Sequence, residues 1–193
     1  MGVGSARPGV LGGAFDPPHL GHLALAHDGR SHFGLDRLLV RVVERPGHKH
    51  VSTPPWVRLE LVRLAFAGVP GVEIELDPYA RTVDSLEALA LPEPVFLVGA
   101  DEFADFLSWK EPERVLELAR LGVGMRPGVP SDRLDGVLAS LSRPDRVELF
   151  EIEPHDVSSA ELRALAADGR PLDGFVPQAV ADRIRELDLY RAR

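Results

Sequence analysis

Gly9-Val10-Leu11-Gly12-Gly13-Ala14-Phe15-Asp16-Pro17-Pro18-His19-Leu20-Gly21-His22 is the stretch from which the fold of this chain can be read. Its first three residues form a short apolar run that predicts a strand, and the segment from about Leu20 to Phe33 reads as a helix. Between them, Gly12 and Gly13 lack a β-carbon, so backbone amides can approach a phosphate closely. The helix that follows turns its positive N-terminal end toward the same place. His19 and His22 are three positions apart, so in a first helical turn they lie on one face. Two imidazoles beside free helix-end amides form a set of donors suited to a phosphate that gains charge during transfer. Asp16-Pro17-Pro18 makes a rigid approach, with Asp16 as a cap for the turn. The plainer alternative is a glycine turn followed by ordinary helix histidines.

Working outward, apolar and β-branched runs at 38–43, 72–76, 95–99, 121–125 and 147–152 predict strands. Helical spacing marks 57–65, 83–89, 113–120, 159–167 and 177–187, with Ser158 as a cap, Gly169 after a helix and Pro177 in the first turn of the last one. Residues 126–144 read as a loop-rich connection containing one short helix. Strands alternating with helices indicate an α/β fold: a Rossmann-like, three-layer α/β/α arrangement with a mainly parallel central sheet, in a single domain spanning 1–193. Such sheets bind ligands outside the carboxyl ends of their strands, where the strand order reverses. The glycine-histidine stretch follows the end of the first strand directly.

Composition narrows the partners. The 193 residues are 45% hydrophobic and 27% charged, which is globular, and the formal charge of −8 argues against a nucleic-acid surface while leaving room for a small anionic ligand. No cysteine is present, which excludes disulfides, thiolate metal sites and cysteine nucleophiles. A zinc site built on the histidines, His48 and His50 among them, lacks an obvious carboxylate ligand and the usual spacing, so no protein-held metal is expected. Residues 1–8 carry no apolar run of signal-peptide length, and no stretch approaches the roughly 20 apolar residues of a membrane span. The expectation is a soluble, cytoplasmic protein without a membrane partner; a homo-oligomer is compatible with the sequence, which carries no mark either way.

The stretch Gly12-Gly13-Ala14-Phe15-Asp16-Pro17-Pro18-His19-Leu20-Gly21-His22 resembles the signature of the H-x-G-H nucleotidyltransferases, and specifically that of bacterial nicotinate-nucleotide adenylyltransferases. The resemblance continues in order along nearly the whole chain. Pro46-Gly47-His48-Lys49 is similar to that family's Pro-Pro-His-Lys loop, and Arg58 sits in the matching helix. Thr82-Val83-Asp84-Ser85-Leu86 is similar to Thr-x-Asp-Thr-Leu. Phe96-Leu97-Val98-Gly99-Ala100-Asp101 with Trp109-Lys110 matches a further block. Ser158-Ser159-Ala160-Glu161-Leu162-Arg163 resembles Ser-Ser-Thr-x-Ile-Arg, and Phe175-Val176-Pro177 and Leu189-Tyr190 close the match.

The resemblance implies transfer of the adenylyl group of ATP to nicotinate mononucleotide, by direct attack on the α-phosphorus, with Mg²⁺ delivered by ATP. It implies that Gly12, Gly13, Ala14, Phe15, His19, His22, Gly99, Asp101, Ser158, Ser159 and Arg163 bind ATP. Gly13, Lys49, Thr82, Trp109 and Lys110 would bind the mononucleotide, and His19, His22, Lys49 and Arg163 would carry the catalysis. Each has a plainer alternative: Lys49 a solvated surface lysine, Ser158 a simple N-cap beside an exposed arginine, Asp101 a helix cap, Trp109 a core ring. Three departures stand out. Ala160 removes a hydroxyl, so phosphate binding there would rely on Ser158, Ser159 and backbone amides. Gly47 replaces a proline, which should loosen the Lys49 loop. Ala80-Arg81 replaces Ser-Tyr, and Arg81 either favours a carboxylate on the pyridine or points into solvent. Among relatives of the same fold, pantetheine-phosphate adenylyltransferases usually carry Thr at the position of His19 and lack the Trp-Lys block, and cytidylyltransferases have a different C-terminal motif. A non-catalytic nucleotide-binding paralogue is the alternative of another class.

Overall fold

The computed structural model describes residues 7–47, 51–126 and 132–191. Six strands, β1 (Pro8–Gly13), β2 (Arg37–Val43), β3 (Val72–Asp77), β4 (Val95–Gly99), β5 (Arg120–Met125) and β6 (Val147–Glu151), form one sheet in the order β3-β2-β1-β4-β5-β6. Every pairing is parallel. The mainly parallel sheet read from the sequence is therefore parallel throughout. After β3 the chain crosses β1 to build β4, so the order reverses between β1 and β4.

Burial explains the strand patterns. Val10, Leu38, Val40, Val42, Val95 and Leu97 are closed to solvent on both faces of the central strands, whereas β3 alternates Val72, Ile74 and Leu76 with exposed glutamates, as an edge strand covered on one face does. One face carries α1 (Leu20–Phe33), α2 (Pro55–Ala65), α7 (Ser159–Ala167) and α8 (Gln178–Glu186), whose Leu25, Leu61, Leu162 and Val180 join a core with Val40 and Leu97. The other carries α3 (Thr82–Leu89), α5 (Pro112–Leu118) and α6 (Asp132–Ser140), with a short α4 (Ala100–Phe103), through Leu86, Val115, Leu134 and Phe103. Among the described residues no helix is long and apolar enough to cross a membrane.

Most elements fall where the sequence placed them, with ends shifted by a residue or two. β1 does not stop at Leu11 but runs on through Gly12 and Gly13, which pair with Arg41 and Val42 of β2. Two further shifts have identifiable reasons. The helix expected over 113–120 ends at Leu118, because Arg120 pairs with Val95 at the start of β5. Pro177 is the N-cap of α8 rather than a first-turn residue, with extended backbone (φ −56°, ψ 144°). Ser158 caps α7 as expected: its hydroxyl accepts from the Glu161 amide, and the Glu161 carboxylate accepts from the Ser158 amide at 2.8 Å.

Candidate active site

A cleft of about 920 Å³ opens at the carboxyl edge of the sheet, above the reversal between β1 and β4. It is lined by Gly12, Gly13, Ala14 and Phe15 from the end of β1, and by His19 and His22 from α1. Thr82, Trp109 and Lys110 lie along it on one side, Gly99 and Asp101 at the end of β4, and Ser158, Ser159 and Arg163 at the start of α7. The structure thus brings together every site residue expected from the sequence except Lys49, which with His48 and His50 lies outside the described residues.

His19 and His22 form the wall beside β1. Their rings are 3.7 Å apart, centre to centre, and tilted by 33°. His19 is the N-cap of α1, and its backbone N–H donates to Nδ1 of His22 at 3.2 Å. Acting as acceptor there, Nδ1 leaves the proton of a neutral His22 ring on Nε2. Burial, and secondarily the nearby His155, hold the pKa of His19 down to about 4 against the opposite pull of Glu161. His19 is therefore a neutral hydrogen-bonding group near pH 7, and its Nδ1 is buried without a hydrogen-bond partner among the described residues. Gly21 lets this ring sit where it does: a β-carbon at Gly21 would lie 3.1 Å from Nδ1 and 3.2 Å from Cε1 of His19.

The first turn of α1 is less open than the sequence suggested. The Leu20 amide donates to Phe175 O at 2.9 Å, and the His22 and Leu23 amides turn back to His19 O. Gly21, which lines the cleft, is the first-turn residue whose N–H none of these bonds uses. Nor is Asp16 the cap, because two prolines separate it from the helix and His19 takes that place. The Asp16 carboxylate is instead buried, with Oδ1 accepting from the Tyr190 hydroxyl at 2.7 Å.

Three side chains, from α2 and α7, fasten the backbone of the 14–17 turn. Arg58, 1% exposed, donates to Thr53 O (3.0 Å), Ala14 O (2.6 Å), Val43 O (2.9 Å) and Glu44 O (2.9 Å), tying the ends of β1 and β2 together. From α7, Arg163 Nη1 donates to Asp16 O at 2.7 Å, and Ser159 Oγ to Pro17 O at 2.8 Å. Those two side chains thus already hold the phosphate-side backbone, while Arg163 retains further guanidinium donors.

The β2–β3 side has its own frame. Asp77, 3% exposed, accepts from Arg41 Nη2 (2.9 Å), Ser85 Oγ (2.6 Å) and the Tyr79 amide (3.1 Å), and so fixes the 77–85 segment that carries Arg81 and Thr82. Arg41 is also paired with Glu75. Burial pulls its pKa down, but the two carboxylates outweigh that and raise it. Trp109 is half-buried, braced edge-on by Phe106 (5.3 Å) and Phe96 (6.2 Å), and Lys110 pairs with Asp84 at 2.6 Å. On the opposite side, Gly99 is the N-cap of α4 and Asp101 lies in the first turn, with no side-chain cap bond. Exposed Asp101 faces Arg126 at 3.4 Å, and Arg126 also meets Asp156 at 3.0 Å. Among the described residues no group of three or more His, Asp or Glu side chains could hold a metal ion.

Comparison with known proteins places this architecture. A cytidylyltransferase-like family model matches residues 10–165. A probable nicotinate-nucleotide adenylyltransferase of Roseiflexus sp. (strain RS-1) is 40% identical over 202 aligned positions, covering 98% of this chain and 100% of that protein. A Thermus thermophilus protein carrying the same name is 37% identical over 194 positions, covering 96% of this chain and 100% of that protein. The chain belongs to the nicotinate-nucleotide adenylyltransferase family. Among solved structures, the Plasmodium falciparum nicotinic acid mononucleotide adenylyltransferase complexed with NaAD has the same fold, with a TM-score of 0.79 at 17% identity over 96% of this chain and 98% of that one.

The cleft is also lined by residues that local sequence reading missed: Arg41, Asp77, Arg126 and His155. Arg126 follows the end of β5, so the rule that ligands gather at carboxyl ends of strands was the available signal. Arg41 had none, because it stands inside the apolar run 38–43. Two of the departures from the family's motifs prove to be neighbours. A β-carbon at Gly47 would lie 3.0 Å from Cζ of Arg81 and 3.2 Å from its Nη2, so the Arg81 guanidinium occupies the space that Gly47 leaves.

Proposed function

We propose that this chain transfers the adenylyl group of ATP to nicotinate mononucleotide, yielding nicotinate adenine dinucleotide and pyrophosphate, a step of NAD biosynthesis. The observation that carries this reading is the cleft over the β1/β4 reversal, which gathers donors on both sides of the glycine-histidine turn. ATP takes the β4–β6 side, with the adenosine near Gly99 and Asp101 and the phosphates toward His19, His22, Ser158, Ser159 and Arg163. The mononucleotide takes the β2–β3 side, near Thr82, Trp109 and Lys110, with its phosphate toward Gly13. An indole suits an electron-poor pyridine ring.

A phosphate oxygen of the mononucleotide then attacks the α-phosphorus; the bond from that phosphorus to the bridging oxygen breaks, and pyrophosphate leaves with the electron pair. No covalent enzyme intermediate is needed, so the protein's work is alignment and charge stabilisation. His22 presents Nε2–H to the transferring phosphate, and neutral His19 adds a second donor or acceptor beside it. Mg²⁺ would arrive with ATP as part of that substrate and supply positive charge against its phosphates. The chain works as one nucleotidyltransferase domain, in the cytoplasm.

The test is release of pyrophosphate by purified protein given ATP, Mg²⁺ and either nicotinate or nicotinamide mononucleotide. Release with the nicotinate acceptor is expected to be faster. A protein that binds ATP but releases nothing with either acceptor contradicts the reading.

A further inference from the structure

On the acceptor side of the cleft the positive groups are not equivalent. Arg41 is neutralised by Glu75 and Asp77. Lys110 is neutralised by Asp84 at 2.6 Å, with Glu111 at 3.8 Å. Arg81 lines the same cleft, at the N-cap of α3, and forms no ion pair with any described residue. Its backbone is held where it is by the Asp77 frame and by the Ser85 amide, which donates to Arg81 O at 3.1 Å. Its guanidinium is seated over Gly47, where a β-carbon would stand 3.0–3.4 Å from Cζ, Nη2 and Nε. A cation whose side chain rests against a neighbour, whose charge is unpaired among the described residues and which faces a cleft is a group available to an anion.

We propose that Arg81 is a specificity-determining residue, which selects an acceptor bearing a second anionic group, a pyridine carboxylate, over the corresponding neutral amide, and that Gly47 makes the room for it. This rests on the acceptor assignment made above. Both acceptors share the ribose phosphate, so the arginine's preference is read in the ratio between them. A charge-assisted, two-pronged contact to the carboxylate has no equal at an amide, whose NH2 is itself a donor.

The experiment compares kcat/KM for nicotinate and nicotinamide mononucleotides in the wild type, Arg81→Gln, Arg81→Lys, Gly47→Ala and the Arg81→Gln/Gly47→Ala double variant. Arg81→Gln should lower the acid-over-amide ratio roughly tenfold, through KM for the acid, while KM for ATP stays put. Arg81→Lys should keep part of the preference. Gly47→Ala should shift the ratio in the same direction, and the double variant should be no worse than Arg81→Gln alone, as expected of two residues acting through one contact. A ratio unchanged in Arg81→Gln, or equal losses with both acceptors, overturns the inference while leaving the adenylyltransfer reading intact. A wild type inactive with both acceptors removes the reading and the inference together.

Discussion

Tyr190 reaches back across 174 positions to donate its hydroxyl to Asp16 Oδ1 at 2.7 Å, closing the C-terminal segment onto the turn that precedes His19. Burial, then the neighbouring Asp16 charge, push the tyrosine pKa up, so it stays a donor at any working pH. Asp16 is 2% exposed, and removing the donor leaves a buried carboxylate short of a partner. Tyr190→Phe should therefore cost about 1–3 kcal/mol in denaturant unfolding. A stability within experimental error of wild type would mean that the hydroxyl does not hold the turn.

Arg58 is the larger structural commitment, since one guanidinium serves carbonyls at Ala14, Val43, Glu44 and Thr53. A lysine cannot span that set, so Arg58→Lys should lose roughly 3–5 kcal/mol. A loss below about 1 kcal/mol would show that the carbonyls find other donors.

Gly21→Ala addresses catalysis rather than folding. The added methyl would press on the His19 ring at 3.1–3.2 Å, and that ring packs against His22. A displacement of a few tenths of an ångström should lower kcat by roughly tenfold to a hundredfold, with the far-ultraviolet spectrum unchanged. An alanine variant with full kcat would detach the placement of His19 from turnover.

The depressed pKa of His19 has a signed consequence. The ordinary value of 6.5 falls to about 4 in the folded protein, so between those pH values the unfolded chain binds the extra proton. The stability of the free protein should fall as pH drops from about 6.5 to about 4, by about 3 kcal/mol on this account, and His19 should add no further loss below that. In His19→Asn the acid limb of the stability curve should be flatter by that amount. A titration of His19 near its ordinary 6.5, followed by NMR, would contradict the burial argument.

How much of this was legible in the sequence depends on the range of the interaction. β1 and α1 could be read because the apolar run, the glycines and the prolines act within a few residues of themselves. The Ser158 cap was legible for the same reason, though its reciprocal partner Glu161 was not named. Asp16 was misread because the local rule offers it as a cap, whereas its partner is a tyrosine at the far end of the chain. Arg41 was passed over inside an apolar strand, since what makes it tolerable there, Glu75 and Asp77, lies 34 and 36 positions away. Gly47 and Arg81 looked like separate departures, one loosening a loop and one of uncertain direction; only their contact makes them a pair.

In the proposed reaction the cleft joins two nucleotides and does not merely bind or hydrolyse one. Chromatography with mass detection should find nicotinate adenine dinucleotide and pyrophosphate formed in equal amounts from ATP and nicotinate mononucleotide. His22→Ala should slow that formation by roughly a hundredfold or more, as loss of one preorganised donor does. AMP appearing in place of the dinucleotide, or a His22→Ala variant turning over at the wild-type rate, would contradict the account.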